Sequence, residues 1–160
     1  MKLRKNMLCG VVLTLAFAQT CWSEIHVTYV KPEQMLDVPT TQRSQILNEL
    51  TGHFMSLDKY LAPDQTLNIE VTSLELSGIV KHKFRTDQDV RVLRGAADWP
   101  TMHLLYRLES KGQVIRSGED DLRNMMYLER MNKYPTSDSL RYEKQMIDDW
   151  FGNWRSTTQK

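Results

Sequence analysis

The chain has 160 residues, 21 basic against 20 acidic side chains, and 41% hydrophobic residues. That length allows one domain with its own core. The near-neutral balance excludes the strongly basic footprint that nucleic acid demands, and two cysteines exclude a disulfide-rich scaffold.

The N-terminus reads as an address. Lys2, Arg4 and Lys5 precede an almost wholly apolar run from Met7 to Ala18. About 12 such residues are too few to cross a bilayer core, which takes ~20. A basic start, a short apolar run and small residues after it predict a secretory signal peptide. Ala16-Phe17-Ala18 offers an A-x-A cleavage site, leaving residues 1–18 as the signal. Cys21-Trp22-Ser23 offers a later site, with cleavage after residue 23. The A-x-A site is preferred. Cys21 also stands where a lipoprotein cysteine could, although Gln19 and Thr20 are poor residues to precede one. Lipidation is therefore the alternative route, and export to the periplasm is the expectation.

Cleavage changes the charge. Residues 1–23 carry three basic side chains and no acidic ones, which leaves 18 basic against 20 acidic. A slightly acidic mature chain does not suit nucleic acid or an anionic membrane surface. No membrane span is expected after cleavage. Cys9 leaves with the signal, so no internal disulfide is possible and the core must hold the fold alone.

The mature chain opens with "EIHVTYV", in which Ile25, Val27 and Tyr29 share one face of a strand. Pro32 ends it. Over residues 40–61 the period changes. Ile46, Leu47, Leu50, Phe54, Leu57 and Leu61 form one stripe of an amphipathic helix, capped by Thr40 or Thr41 and stopped before Pro63. Gly52 weakens its middle by about 1 kcal/mol relative to alanine, and close packing on a sheet would explain it.

"TLNIEVTSLELSG" returns to period two. Leu67, Ile69 and Val71 share a face, but Leu74 and Leu76 fall on the opposite parity. A β-bulge near Thr72-Ser73 would return all five to the core. Residues 79–89 show no sustained pattern and read as a connection. Val90 and Val92 suggest a short strand, followed by a turn over residues 95–100. Met102, Leu104, Tyr106 and Leu108 form the next strand, and Ser110-Lys111-Gly112 turns it into a hairpin with residues 113–117. The stretch beyond Gly118 is open between extended chain and a helical turn. A last helix, capped by Asp138 or Ser139, carries Tyr142, Met146, Ile147, Trp150, Phe151 and Trp154 on one face. Gly152 would mark fraying.

This order predicts an α+β fold. It comprises a single domain over residues 24–155, with a largely antiparallel sheet, two amphipathic helices packed on one face, and a tail at 156–160.

The segments "VTYVKPEQMLD", "VRVLRGAADWP", "SGEDDL" and "LRYEKQMIDDWF" resemble the secreted bacterial proteins grouped as domain-of-unknown-function family 3016. The likeness runs from about Ile25 to Trp154. It implies an exported domain and supplies no activity and no catalytic residue.

The residues themselves offer little chemistry. Asp148 and Asp149 are adjacent on a helix and do not face each other, so they read as a solvated face. Glu119, Asp120 and Asp121 match no calcium loop and read as a solvated strand end. Histidines 26, 53, 82 and 103 lack paired zinc-ligand spacing. His26 and His82 read as solvated, and His53, beside the helix stripe, as partly buried. No nucleophile elbow or phosphate-cradling loop occurs. No catalytic residue, metal or cofactor is expected.

"VRVLRGAADWP" is the least ordinary stretch. Arg91 and Arg94 are fork donors for a carboxylate or phosphate. Trp99 is an aromatic platform, and Asp98 could orient an arginine. These four are the candidate binding residues. The plainer alternative is a corner in which Trp99 covers the sheet end and an arginine–Asp98 pair locks the turn. The expected function is a periplasmic binding or accessory module for an envelope protein or small ligand. The alternative is a hydrolase assembled only in the fold. A cleft holding Asp98, Glu119 or His103 would favour the enzyme; an apolar patch near Trp99 would favour the module.

Overall fold

The computed structural model describes residues 22–36, 40–83, 88–95 and 98–158. The expected signal peptide, with its two candidate cleavage sites as far as residue 21, and Cys21 lie outside them.

Strand β1 (Glu24–Tyr29) leads into a short helix α1 (Pro32–Met35) and then α2 (Thr40–Met55). A 3-10 turn, Asp58–Tyr60, follows. Next come β2 (Gln65–Glu75), β3 (Ile79–Lys83), β4 (Gln88–Val92), β5 (Thr101–Ser110), β6 (Gln113–Arg123) and the closing helix α3 (Arg141–Thr158). The main sheet has the order β1-β2-β5-β6, and β3 and β4 form a separate two-stranded ribbon. β1 lies parallel to β2 because α2 carries the chain back across the sheet; the other neighbours are antiparallel. The architecture is α+β in a single domain.

One sheet face is the core. Ile25, Leu67, Ile69, Val71, Met102, Leu104 and Leu108 are buried beneath Leu47, Leu50 and Phe54 of α2 and Met146, Ile147, Trp150 and Trp154 of α3. The bulge lies at the expected place. The β2–β5 register shifts between Val71 and Ser73, so Thr72 is the extra residue and Leu74 returns to the core. Each apolar side chain so recovered removes its surface from water, worth about 25 cal/mol per Å².

Trp150 gathers the aromatic part of the core. Its ring meets Phe54, Tyr106, Phe151 and Trp154 at centroid distances of 6.1–6.3 Å. Its Nε1–H donates to Asp120 Oδ2 at 2.9 Å. Opposite Tyr106 in the β5–β6 ladder stands Gly118. A Cβ there would lie 2.7 Å from the Tyr106 hydroxyl, so a bare backbone makes room for the ring.

Three expectations change. Residues 79–89 hold most of the β3–β4 ribbon rather than a plain connection. A two-stranded ribbon outside the main sheet has no need of the strict alternation that marks a half-buried strand. Gly52 does not pack on the sheet: it is exposed, with nothing within 4 Å of where its Cβ would stand. Gly152 marks no fraying, since α3 continues to Thr158. The open stretch beyond Gly118 divides at Arg123, where β6 loses its partner because β5 begins at Thr101.

Candidate functional site

The turn between β4 and β5 is built around one carboxylate. Asp98 Oδ2 accepts the backbone N–H of Arg94 at 2.6 Å, and Oδ1 accepts the Tyr127 hydroxyl at 2.7 Å. The Tyr127 oxygen in turn accepts the Gly95 N–H at 3.2 Å. Tyr127 is buried, with its ring edge-on to Tyr142 of α3. Burial, then the bond to Asp98, raise its hydroxyl above the ordinary tyrosine range, so it stays a donor. Gly95 sits at φ +83°, a left-handed conformation that favours glycine. The Asp98 carbonyl also accepts the Gly78 N–H at 3.0 Å, which ties the turn to the start of the ribbon.

Arg91 leaves the ribbon in another direction. Its guanidinium donates to the Ser77 carbonyl, the Ser139 carbonyl, the Ser77 hydroxyl and Glu143 Oε1. Glu143 is fully buried on α3, and its Oε1 also accepts the Ser77 N–H at 2.8 Å. This ion pair fastens the ribbon to α3. Arg94 is exposed beside the turn. The expected arginine–Asp98 contact thus runs through the Arg94 backbone.

Trp99 has a different setting. Together with Gly95, Met125, Met126, Leu128 and Glu129 it lines a hollow of about 320 Å³. Met125 is 61% exposed, Met126 56% and Leu128 46%, and Met131 beyond them is 93% exposed. The cause is local. Asn124 and Tyr127 turn inward and are buried. The backbone closes a tight turn, with Glu129 N–H and Arg130 N–H both reaching the Met126 carbonyl. Anchoring Tyr127 forces its neighbours Met126 and Leu128 outward. The result is an apolar patch on a braced turn, adjoining the exposed Arg94. Scattered exposed hydrophobics are ordinary, but contiguous ones mark contact surfaces.

The acidic and histidine candidates meet only in pairs among the described residues. His103 Nδ1 lies 2.8 Å from Asp121 Oδ1 on the open sheet face. Glu119 borders a broad hollow of about 600 Å³ on that same face, with His26, Asn68, Glu70 and Arg107. Asp98 is spent on its turn. Among the described residues no group of three or more His, Cys, Asp and Glu side chains could hold a metal ion.

Sequence reasoning missed one polar cluster. Asp148, read as solvated, is mostly enclosed between α2 and α3. Its Oδ1 lies 3.1 Å from His53 Nε2, and its Oδ2 accepts the Tyr134 hydroxyl and Lys133 Nζ, the latter at 2.8 Å. Burial pushes this carboxyl up, but the bonds from His53, Lys133 and Tyr134 outweigh it and hold the group down at about 2. Burial and Asp148 push the Tyr134 hydroxyl well above its ordinary range. Next to it Lys144 bridges Glu49 at 2.6 Å and Asp138 at 2.7 Å. The cluster clamps the two helices. Its sequence separations, 95 residues from His53 to Asp148, left no local signal.

No curated protein matches the chain. Among solved structures it is similar to lipoprotein GNA1162 from Neisseria meningitidis, at 14% identity, covering 75% of this chain and 74% of that one with a TM-score of 0.23, a likeness too loose to carry an argument. The family model described as Protein of unknown function (DUF3016) matches residues 23–153. With that match spanning most of its length, the chain belongs to the DUF3016 family.

Proposed function

We propose that this protein is exported to the periplasm and works there as a non-enzymatic binding or accessory module of the bacterial cell envelope. The N-terminal pattern of Lys2, Arg4, Lys5 and the apolar run to Ala18 supports export. The observation that carries the binding reading is the patch of Trp99, Met125, Met126 and Leu128. Methionine side chains are flexible and polarizable, which suits a surface that moulds to a partner. Trp99 is the aromatic element and Arg94 the charged rim. Asp98, through Tyr127, gives the turn its shape, and Arg91 anchors the ribbon beneath it.

Photo-crosslinking from position 126 in intact cells tests the reading. A defined adduct is expected from the mature protein in the periplasm, and a Leu128→Asp change is expected to abolish it while thermal melting stays the same. Cytoplasmic protein that keeps Met1 would overturn the export reading. An adduct indifferent to Leu128→Asp would overturn the patch.

A further inference from the structure

The sheet ends on β6, whose outer edge has no strand beside it among the described residues. An open strand edge presents a row of backbone donors and acceptors and is a template for pairing. Here the edge is long and open to solvent: Ser117, Gly118, Glu119 and Asp121 are exposed. The register with β5 leaves Ile115 as an extra residue, because Leu108 pairs with Arg116 and Glu109 with Val114. The regular part of the edge therefore runs from Arg116 to Arg123, and it opens with the segment from Arg116 to Asp120.

That segment, Arg-Ser-Gly-Glu-Asp, is complementary to itself read backwards. We propose that β6 pairs antiparallel with β6 of a second copy about a two-fold axis through Gly118. A two-fold contact is made by the same patch on both copies, so each pair occurs twice. In this register Arg116 stands opposite Asp120 of the other copy, and Ser117 opposite Glu119. Opposite charges across a strand pair attract and like charges repel. Charge also disfavours the two neighbouring registers. An axis at Glu119 sets Glu119 against itself, and an axis at Ser117 leaves Arg116 facing Gly118 with no carboxylate.

The surroundings prepare the edge. Arg116 Nη1 donates to the Trp154 carbonyl at 3.0 Å and to Thr157 Oγ1 at 3.1 Å, and its guanidinium lies over the Trp154 ring. Asp120 is held by the Trp150 indole. Both charges are thus fixed on the helix side of the strand. A hollow of about 440 Å³ lies between β6 and α3, walled by Trp150, Trp154 and Leu122. It leaves space on the helix side of the edge for the second strand's side chains.

Ser117 and Glu119 face away from the helices and are exposed, so they can be changed without entering the core. Sedimentation equilibrium of the mature protein up to about 1 mM should show a reversible dimer. Ser117→Glu creates two Glu–Glu pairs across the axis and should weaken the dimer about tenfold. The double variant Ser117→Glu/Glu119→Lys turns both into Glu–Lys pairs and should restore dimerisation at least to the wild-type level. Thermal melts confirm that each variant folds. If the wild type is monomeric throughout, the proposal is overturned. It is overturned equally if the double variant stays as dissociated as Ser117→Glu. Should Ser117→Glu fail to fold, Glu119→Lys mixed with Ser117→Lys decides instead: two lysines then oppose each other, and a mixed dimer as tight as the wild type refutes the pairing.

Discussion

Removing Arg91 should expose how much of the fold hangs on one ion pair. Glu143 is fully buried, and its Oε1 collects the Arg91 guanidinium together with the Ser77 N–H and hydroxyl. Oε2 has no hydrogen-bond partner among the described residues. The Arg91→Met variant keeps much of the aliphatic stem but leaves the carboxylate with only the Ser77 donors. Breaking a buried pair from one side costs about 3–5 kcal/mol. Arg91 itself is 18% exposed, so water can follow the vacated guanidinium and the lower end, about 3 kcal/mol, is expected. Urea unfolding of the protein measures this directly. Adding Glu143→Leu should recover most of the loss, because an apolar pair of similar volume is often no worse than the buried ions. Coupling between the two changes separates this account from simple loss of packing. If Arg91→Met unfolds within about 0.5 kcal/mol of wild type, the buried pair does not hold the ribbon to α3 and the reasoning fails.

Other outcomes follow from the same geometry. Asp148 is held at about 2 against an ordinary 3.8. A depressed carboxyl stabilises the fold above its unfolded value, and that part, about 2 kcal/mol, is lost as pH falls from about 4 towards 2. Asp148→Asn should remove that acid-limb dependence in urea melts taken across this range, and an unchanged profile would refute the clamp. Trp150→Ala deletes a ring packed on four others and should cost about 3–5 kcal/mol, whereas Trp150→Phe should lose less; a calorimetric melt of both variants checks the order. Asp98→Ala should cost about 2 kcal/mol through Tyr127 and the Arg94 N–H, while Arg94→Ala stays within about 0.5 kcal/mol. Their double-mutant cycle should show coupling near zero, since the carboxylate holds the Arg94 backbone; strong coupling would restore a guanidinium–carboxylate lock.

What the sequence determined by itself was whatever is written in local period. Alternation placed β1, β2 and β5, and the phase slip at Thr72-Ser73 placed the bulge, because a single-residue shift reverses every side chain that follows. Steps of three and four placed α2 and α3 and chose their buried faces, although α2 stops at Met55 and leaves Leu57 and Leu61, read as part of its stripe, beyond its end. Those patterns, all on one face, were enough for the α+β class. The tertiary structure alone decided the long-range polar pairs. Asp148 looked like half of a solvated doublet until α2 brought His53 against it. Arg91 looked like a ligand fork until α3 supplied Glu143. The methionines at 125 and 126 carried no sign of exposure in their own order. They face solvent because Tyr127 between them and Leu128 is drawn inward to Asp98. Hydrophobic period is local, since it follows from the repeat of one helix or strand. A buried charge or an exposed methionine depends on what the rest of the chain sets beside it, and no short stretch encodes that.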